Sequence, residues 1–150
     1  MTERKGFVTP GLLMGACLAL TGCAATDYRM LVTIADAQTG PATLVDVGET
    51  GDSVGDMVLF DQPLLGEDGA VIGNNSGGCI RTRVGHSYQC QWTLTFDDGS
   101  IQVAGREADQ GSSAISIVGG TGVYTGISGE MISTNNNDGT FTQTLRFRLE

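Results

Sequence analysis

Histidine is nearly absent from this 150-residue sequence, which carries only His86, at the tip of an expected hairpin. A Ser-His-Asp hydrolase is therefore excluded, and His86 reads as an exposed turn residue. A metal centre is excluded too, because only His86 could join the cysteines as a ligand. Proline is scarce at 3, and no stretch after Cys23 carries a helical period. Gly119-Gly120-Thr121-Gly122 has no following helix and no Walker Lys or Ser/Thr, so it is no phosphate loop; its glycines are expected to supply positive-φ turns. Asp97-Asp98-Gly99 and Asn135 to Gly139 lack the ligand spacing of a calcium loop and read as turns. Nothing implies a cofactor, a second domain, a repeat, or a linker beyond Ala24 to Asp27. Positive charge is also short. The formal charge is −9, and −10 once Glu3, Arg4 and Lys5 leave with a leader, so nucleic acid is excluded as a partner.

What is present begins with that leader. Arg4 and Lys5 precede a mostly apolar run from Phe7 to Leu20, too short to span a bilayer and of the length of a signal core. It closes in Leu20-Thr21-Gly22-Cys23, which resembles the lipobox of bacterial lipoproteins. The resemblance implies a signal over 1–22, acylation of Cys23, a tether over 23–27 and one domain over 28–150. It implies export and a hold on the membrane through the lipid anchor only, with the domain in water.

The rest is rich in glycine, 23 residues, with abundant Thr, Val and Ile, which favours short strands and tight turns. Eight strands are expected: Tyr28 to Ala37, Gly55 to Leu65, Ala70 to Val84, Tyr88 to Phe96, Ser100 to Ala108, Ser112 to Val118, Gly126 to Thr134 and Thr140 to Leu149. Ala42 to Asp56 reads as a Gly- and Asp-rich connection with a short apolar piece at Leu44 to Val47. In the fourth strand Tyr88, Cys90, Trp92, Leu94 and Phe96 share one face. A turn at Val84-Gly85 sets Cys79 opposite Cys90, Arg81 opposite Tyr88, Gly77 opposite Trp92, Asn75 opposite Leu94 and Gly73 opposite Phe96. Small residues then face large ones, as the inside of a narrow barrel requires. Eight strands closed on themselves also leave no exposed edge. The fold class is all-β, an eight-stranded antiparallel barrel, lipocalin-like in shape.

Several segments resemble the allene oxide cyclase barrels and the dirigent proteins that share their fold. They are Gly55 to Phe60, Gly78-Cys79-Ile80, the aromatic fourth strand, Ile101 to Gly105, and Ile117 to Tyr124 with Gly126 and Gly129. The resemblance implies a barrel with an apolar pocket, often in a homo-oligomer, and a small apolar ligand. Thr33 and Ala35 stand where the plant cyclase has a first-strand Glu with a nearby Asn. Its pocket cysteine matches Cys79, its loop proline Pro41, and its water-holding Asn falls near Gln62. The missing carboxylate speaks against allene oxide chemistry itself. Bacterial relatives of this barrel fold polyene chains for pericyclic cycloaddition, so the expected function is a cyclase or isomerase that pre-folds a polyene or oxylipin-like substrate. The alternative is a lipid-anchored barrel that binds or supports without turnover.

Cys79 and Cys90 pair as a disulfide in an oxidising compartment, or Cys79 is a free pocket thiol with Cys90 as core filler. Arg81 and Arg83 point inward at a wet mouth, where they would take a carboxylate or enolate, or else a register slip leaves them on the surface. The catalytic candidates are Arg81, Tyr88 and Gln143. The candidate ligand contacts are Phe60, Asn75, Arg81, Tyr88, Trp92, Phe141 and Gln143.

Overall fold

The computed structural model describes residues 27–150, so the expected leader and Cys23 lie outside the described residues. Nine strands follow in order: β1 (Arg29–Asp36), β2 (Thr43–Val45), β3 (Met57–Leu65), β4 (Val71–Arg83), β5 (Ser87–Phe96), β6 (Gly99–Ala108), β7 (Ser112–Gly122), β8 (Ile127–Asn135) and β9 (Thr140–Leu149). The sheet runs β1-β9-β8-β7-β6-β5-β4-β3, every pair antiparallel, and Ile34 and Ala35 of β1 meet Leu65 and Leu64 of β3 to close it. The fold is a closed eight-stranded antiparallel barrel. The ninth strand, β2, is the apolar piece of the long connection, laid along the first residues of β3.

The hairpin register follows from residue size. Gly77 lies opposite Trp92 and Cys79 opposite Cys90. A Cβ on Gly77 would overlap the Trp92 backbone and Cβ, so only glycine lets the indole lie across β4. The two cysteines form a disulfide, which rules out the free pocket thiol.

Two expectations fail. Arg83 does not face inward: a bulge between Arg81 and Arg83 shifts the register by one, pairs Arg83 with Ser87 and leaves it exposed. Nor is Gly119-Gly120-Thr121-Gly122 a loop of positive-φ glycines. It is the end of β7, paired to Gly99–Gln102 after a bulge that leaves Val118 without a partner on β6. Only Gly122 of its three glycines has positive φ, +61°. The turn itself is Val123 to Gly126.

Alternation on the strands fills one end of the barrel. Leu94, Ile101, Val103, Ile115, Met131 and Leu145 are fully buried there. Phe96, Tyr124 and Phe147 stack at the base, with ring centres 5.4 and 6.4 Å apart in sequence along the cluster. Toward the opposite end the inward positions change from aliphatic to polar. That change places the site.

Candidate functional site

At the polar end lies a cavity of about 340 Å³, within the range of small-molecule sites. All seven candidate contacts line it: Phe60, Asn75, Arg81, Tyr88, Trp92, Phe141 and Gln143. Phe60 and Trp92 meet edge to face at 6.2 Å and form an apolar wall with Val58 and Phe141. The Cys79–Cys90 disulfide lies in the same wall. Gln62 lines the cavity beside its cross-strand partner Asn75, whereas Pro41 is exposed and outside the lining.

Strand register builds a polar belt inside the barrel. Thr33 pairs with Gln143, Gln143 with Ser133, and Ser133 with Ser113; farther round, Glu107 pairs with Tyr88 and Tyr88 with Arg81. Within it, Thr33 Oγ1 donates to Gln143 Oε1 at 3.0 Å, and Gln143 Nε2 donates to Asn75 Oδ1 at 3.2 Å. All three residues are buried, so these bonds fix the Gln143 amide in one orientation.

Arg81 faces inward, as the hairpin register requires, but its charge is already engaged. Its Nε donates to Asp52 Oδ1 at 2.7 Å and its Nη1 to Asp109 Oδ1 at 2.6 Å. The guanidinium also lies 3.7 Å from the centre of the Tyr88 ring. Burial opposes the charge, yet Asp109, Tyr88 and Asp52 together hold the pKa above its ordinary value. Asp52 belongs to the connection between β2 and β3, which the tie draws across the rim. Asp56 shapes that connection by accepting from the Val47 and Ser53 amides, bonds that lower its own pKa. Arg81 thus acts as a fastener of the rim rather than as a free anion receptor.

Sequence reasoning missed the group with the most chemistry. Glu107, on β6, lines the cavity, and both its carboxylate oxygens are buried without a hydrogen-bond partner. Burial pushes its pKa from 4.5 up to about 7, and the nearby Ser133 and Ser113 hydroxyls, which favour the carboxylate, oppose the shift. The Ser113 hydroxyl is itself turned to the backbone, accepting from the Ala108 N–H at 2.9 Å. A signal for Glu107 existed. Ile101 and Val103 share the inner face of β6, and the same alternation carries Gly105 and Glu107 inward.

Residues 31–145 match the family model described as allene oxide cyclase barrel like domain. The chain belongs to the allene oxide cyclase barrel like family. A pyocyanin demethylase shares this family fold, with 24% identity, a TM-score of 0.71, and coverage of 80% of this chain and all of that one. A pterocarpan synthase dirigent protein superposes at 18% identity and a TM-score of 0.64, covering 92% of this chain and 98% of its own. An exo-specific intermolecular Diels-Alderase gives 14% identity and a TM-score of 0.62, covering 81% and 98%. At these identities the likeness establishes the fold. A comparison with curated protein sequences found no match. In this member of the allene oxide cyclase barrel like family, Thr33 and Ala35 are buried on β1, and of the two only Ala35 lines the cavity. The lining carboxyls come from elsewhere: Glu107 from β6, and Asp109, which is bound to Arg81, from just beyond it.

Proposed function

We propose that the protein is an isomerase or cyclase that admits a compact, largely apolar molecule through the open end of the barrel. The aromatic wall holds the molecule in a reactive fold, and orientation supplies much of the rate. Glu107 works as the acid and base. The observation that carries this reading is the buried carboxyl of Glu107, a residue of the cavity wall. A carboxyl poised near 7 can give a proton to one atom of a conjugated ligand and take one back from another. That exchange drives isomerisation or ring closure and consumes no proton overall. The Gln143 and Asn75 amides would hold a polar atom of the substrate, and Tyr88 would shape the rim. The structural neighbours, a demethylase, a dirigent synthase and a Diels-Alderase, accord with small-molecule chemistry in this barrel.

We place this activity outside the cytoplasm, on a barrel tethered through acylated Cys23. The Cys79–Cys90 disulfide is compatible with that location. The lipobox-like segment also favours a second reading, an anchored barrel that binds without turnover.

Native mass spectrometry of the mature domain from its own host tests both. A molecule retained under native conditions and lost on denaturation is then returned to fresh wild-type protein and to Glu107→Gln. Conversion by wild type, slowed at least about a hundredfold in the variant, is the expected result. A retained molecule that wild type leaves unchanged establishes the binder instead.

A further inference from the structure

Tyr88 stands at the mouth of the cavity with its ring held in one place. Its cross-strand partner on β4, Arg81, faces inward, and the register turns Tyr88 the same way, so both line the cavity. The Arg81 guanidinium lies 3.7 Å from the centre of the ring. That guanidinium is fixed in turn, because its Nε donates to Asp52 at 2.7 Å and its Nη1 to Asp109 at 2.6 Å. One face of the phenol is therefore held by a cation that is itself held.

The hydroxyl at the end of this ring is uncommitted. Tyr88 is half-buried, and its hydroxyl makes no hydrogen bond among the described residues and is not one of their sealed, unpartnered atoms. A polar atom neither paired nor sealed has open space before it, and for this inward-facing residue that space is the cavity mouth. Burial raises the phenol pKa, so the O–H keeps its proton at neutral pH. The Arg81 charge acts the other way, drawing electrons from the ring and making the O–H a better donor. Two aspartates balance Arg81, so an anionic ligand finds no free cation there. What the mouth offers is a neutral donor on a fixed ring.

From these observations we propose that Tyr88 is a ligand-binding residue whose O–H donates to a carbonyl oxygen of a neutral ligand, and that Arg81 is its positioning residue, acting through the ring. This rests on the cavity being the ligand site, as argued under the proposed function, and gives Tyr88 a contact there besides shaping the rim.

Acetophenone and α-methylstyrene test it, since they are nearly isosteric and only the first carries a carbonyl oxygen. Equilibrium dialysis in sealed cells at pH 7 gives the affinity of the protein for each. Tyr88→Phe removes the hydroxyl alone. It is expected to weaken acetophenone about threefold to tenfold, the worth of one hydrogen bond, and to leave α-methylstyrene unchanged. Arg81→Met is expected to cost acetophenone a similar factor when Tyr88 is present and nothing further in Tyr88→Phe, a dependence that a merely structural arginine would not show. Circular dichroism confirms that each variant is folded, and Arg81→Lys takes the place of Arg81→Met if the latter is not. Equal loss of both probes in Tyr88→Phe, no loss of either, or an Arg81 effect independent of the hydroxyl overturns the inference while leaving the cavity a ligand site. Failure of wild type to bind either probe overturns both.

Discussion

Glu107 lies directly opposite Tyr88 across the β5–β6 ladder, and the far neighbour of Tyr88 is Arg81. The phenol ring separates the carboxyl from the cation. Arg81 rests on that ring and spends its charge on Asp52 and Asp109, and it does not count among the groups that shift Glu107. Desolvation therefore governs Glu107. A free arginine in its place would pull the carboxyl down toward the ordinary range, and the acid would be lost. Burial raises the Tyr88 phenol as well, although Arg81 opposes the shift, so the ring stays neutral between them.

The first prediction concerns pH and stability. Because the folded pKa of Glu107 is raised from 4.5 to about 7, folding favours the protonated form. The associated stability is complete below pH 4.5, and is lost as the pH rises through 7. Between pH 4.5 and 9 this group should cost the fold about 3 kcal/mol. Urea unfolding at pH 5 and pH 9 measures the difference. In Glu107→Gln that share of the difference should vanish; an unchanged profile would show that the carboxyl titrates normally.

Arg81 should matter to the rim more than to the base of the barrel. Arg81→Met keeps the stem and leaves Asp52 and Asp109 without their cation. Breaking a buried pair costs about 3–5 kcal/mol, but both aspartates keep some contact with water, so about 1–3 kcal/mol is expected here. Hydrogen exchange should quicken at the Val47, Ser53 and Gly85 amides, which depend on Asp56 and Asp52. Amides of β8 and β9 should keep their protection.

How much of this was legible in the sequence depended on side-chain size. The Cys79–Cys90 and Gly77–Trp92 pairs followed from one register, because a glycine facing an indole and a cysteine facing a cysteine admit few alternatives. The bulge that turns Arg83 outward left no such mark, since the extra residue lies beside a turn where any side chain fits. The extension of β7 through Gly122 was hidden for the opposite reason: a glycine run reads as a loop, but here nearby backbone excludes a Cβ on Gly120 and Gly122. On Gly120 one would come within 2.8 Å of the Ser100 carbonyl oxygen. Glu107 stands out less, because Gly105, which has no side chain, interrupts the alternation of Ile101 and Val103 before it. Its lack of any partner is a property of the folded cavity.

Gln143 offers a test of the belt. Gln143→Leu leaves the Thr33 hydroxyl and Asn75 Oδ1 buried without their shared partner, at a cost of about 1–3 kcal/mol. Adding Thr33→Val removes one of the stranded groups, so the double variant should be less destabilised than the two single effects summed. Denaturant midpoints for the three variants give the coupling. Strict additivity would mean that the belt is not a connected unit.

The most direct measurement of the central claim is a site-resolved carbon NMR titration of the Glu107 carboxyl in the protein, assigned by its loss in Glu107→Gln. A midpoint near 7 is the result this structure requires of a buried acid held ready for proton transfer. A midpoint near 4.5 would mean that the carboxyl is solvated and ionised at neutral pH, and the acid–base reading of the cavity would be wrong.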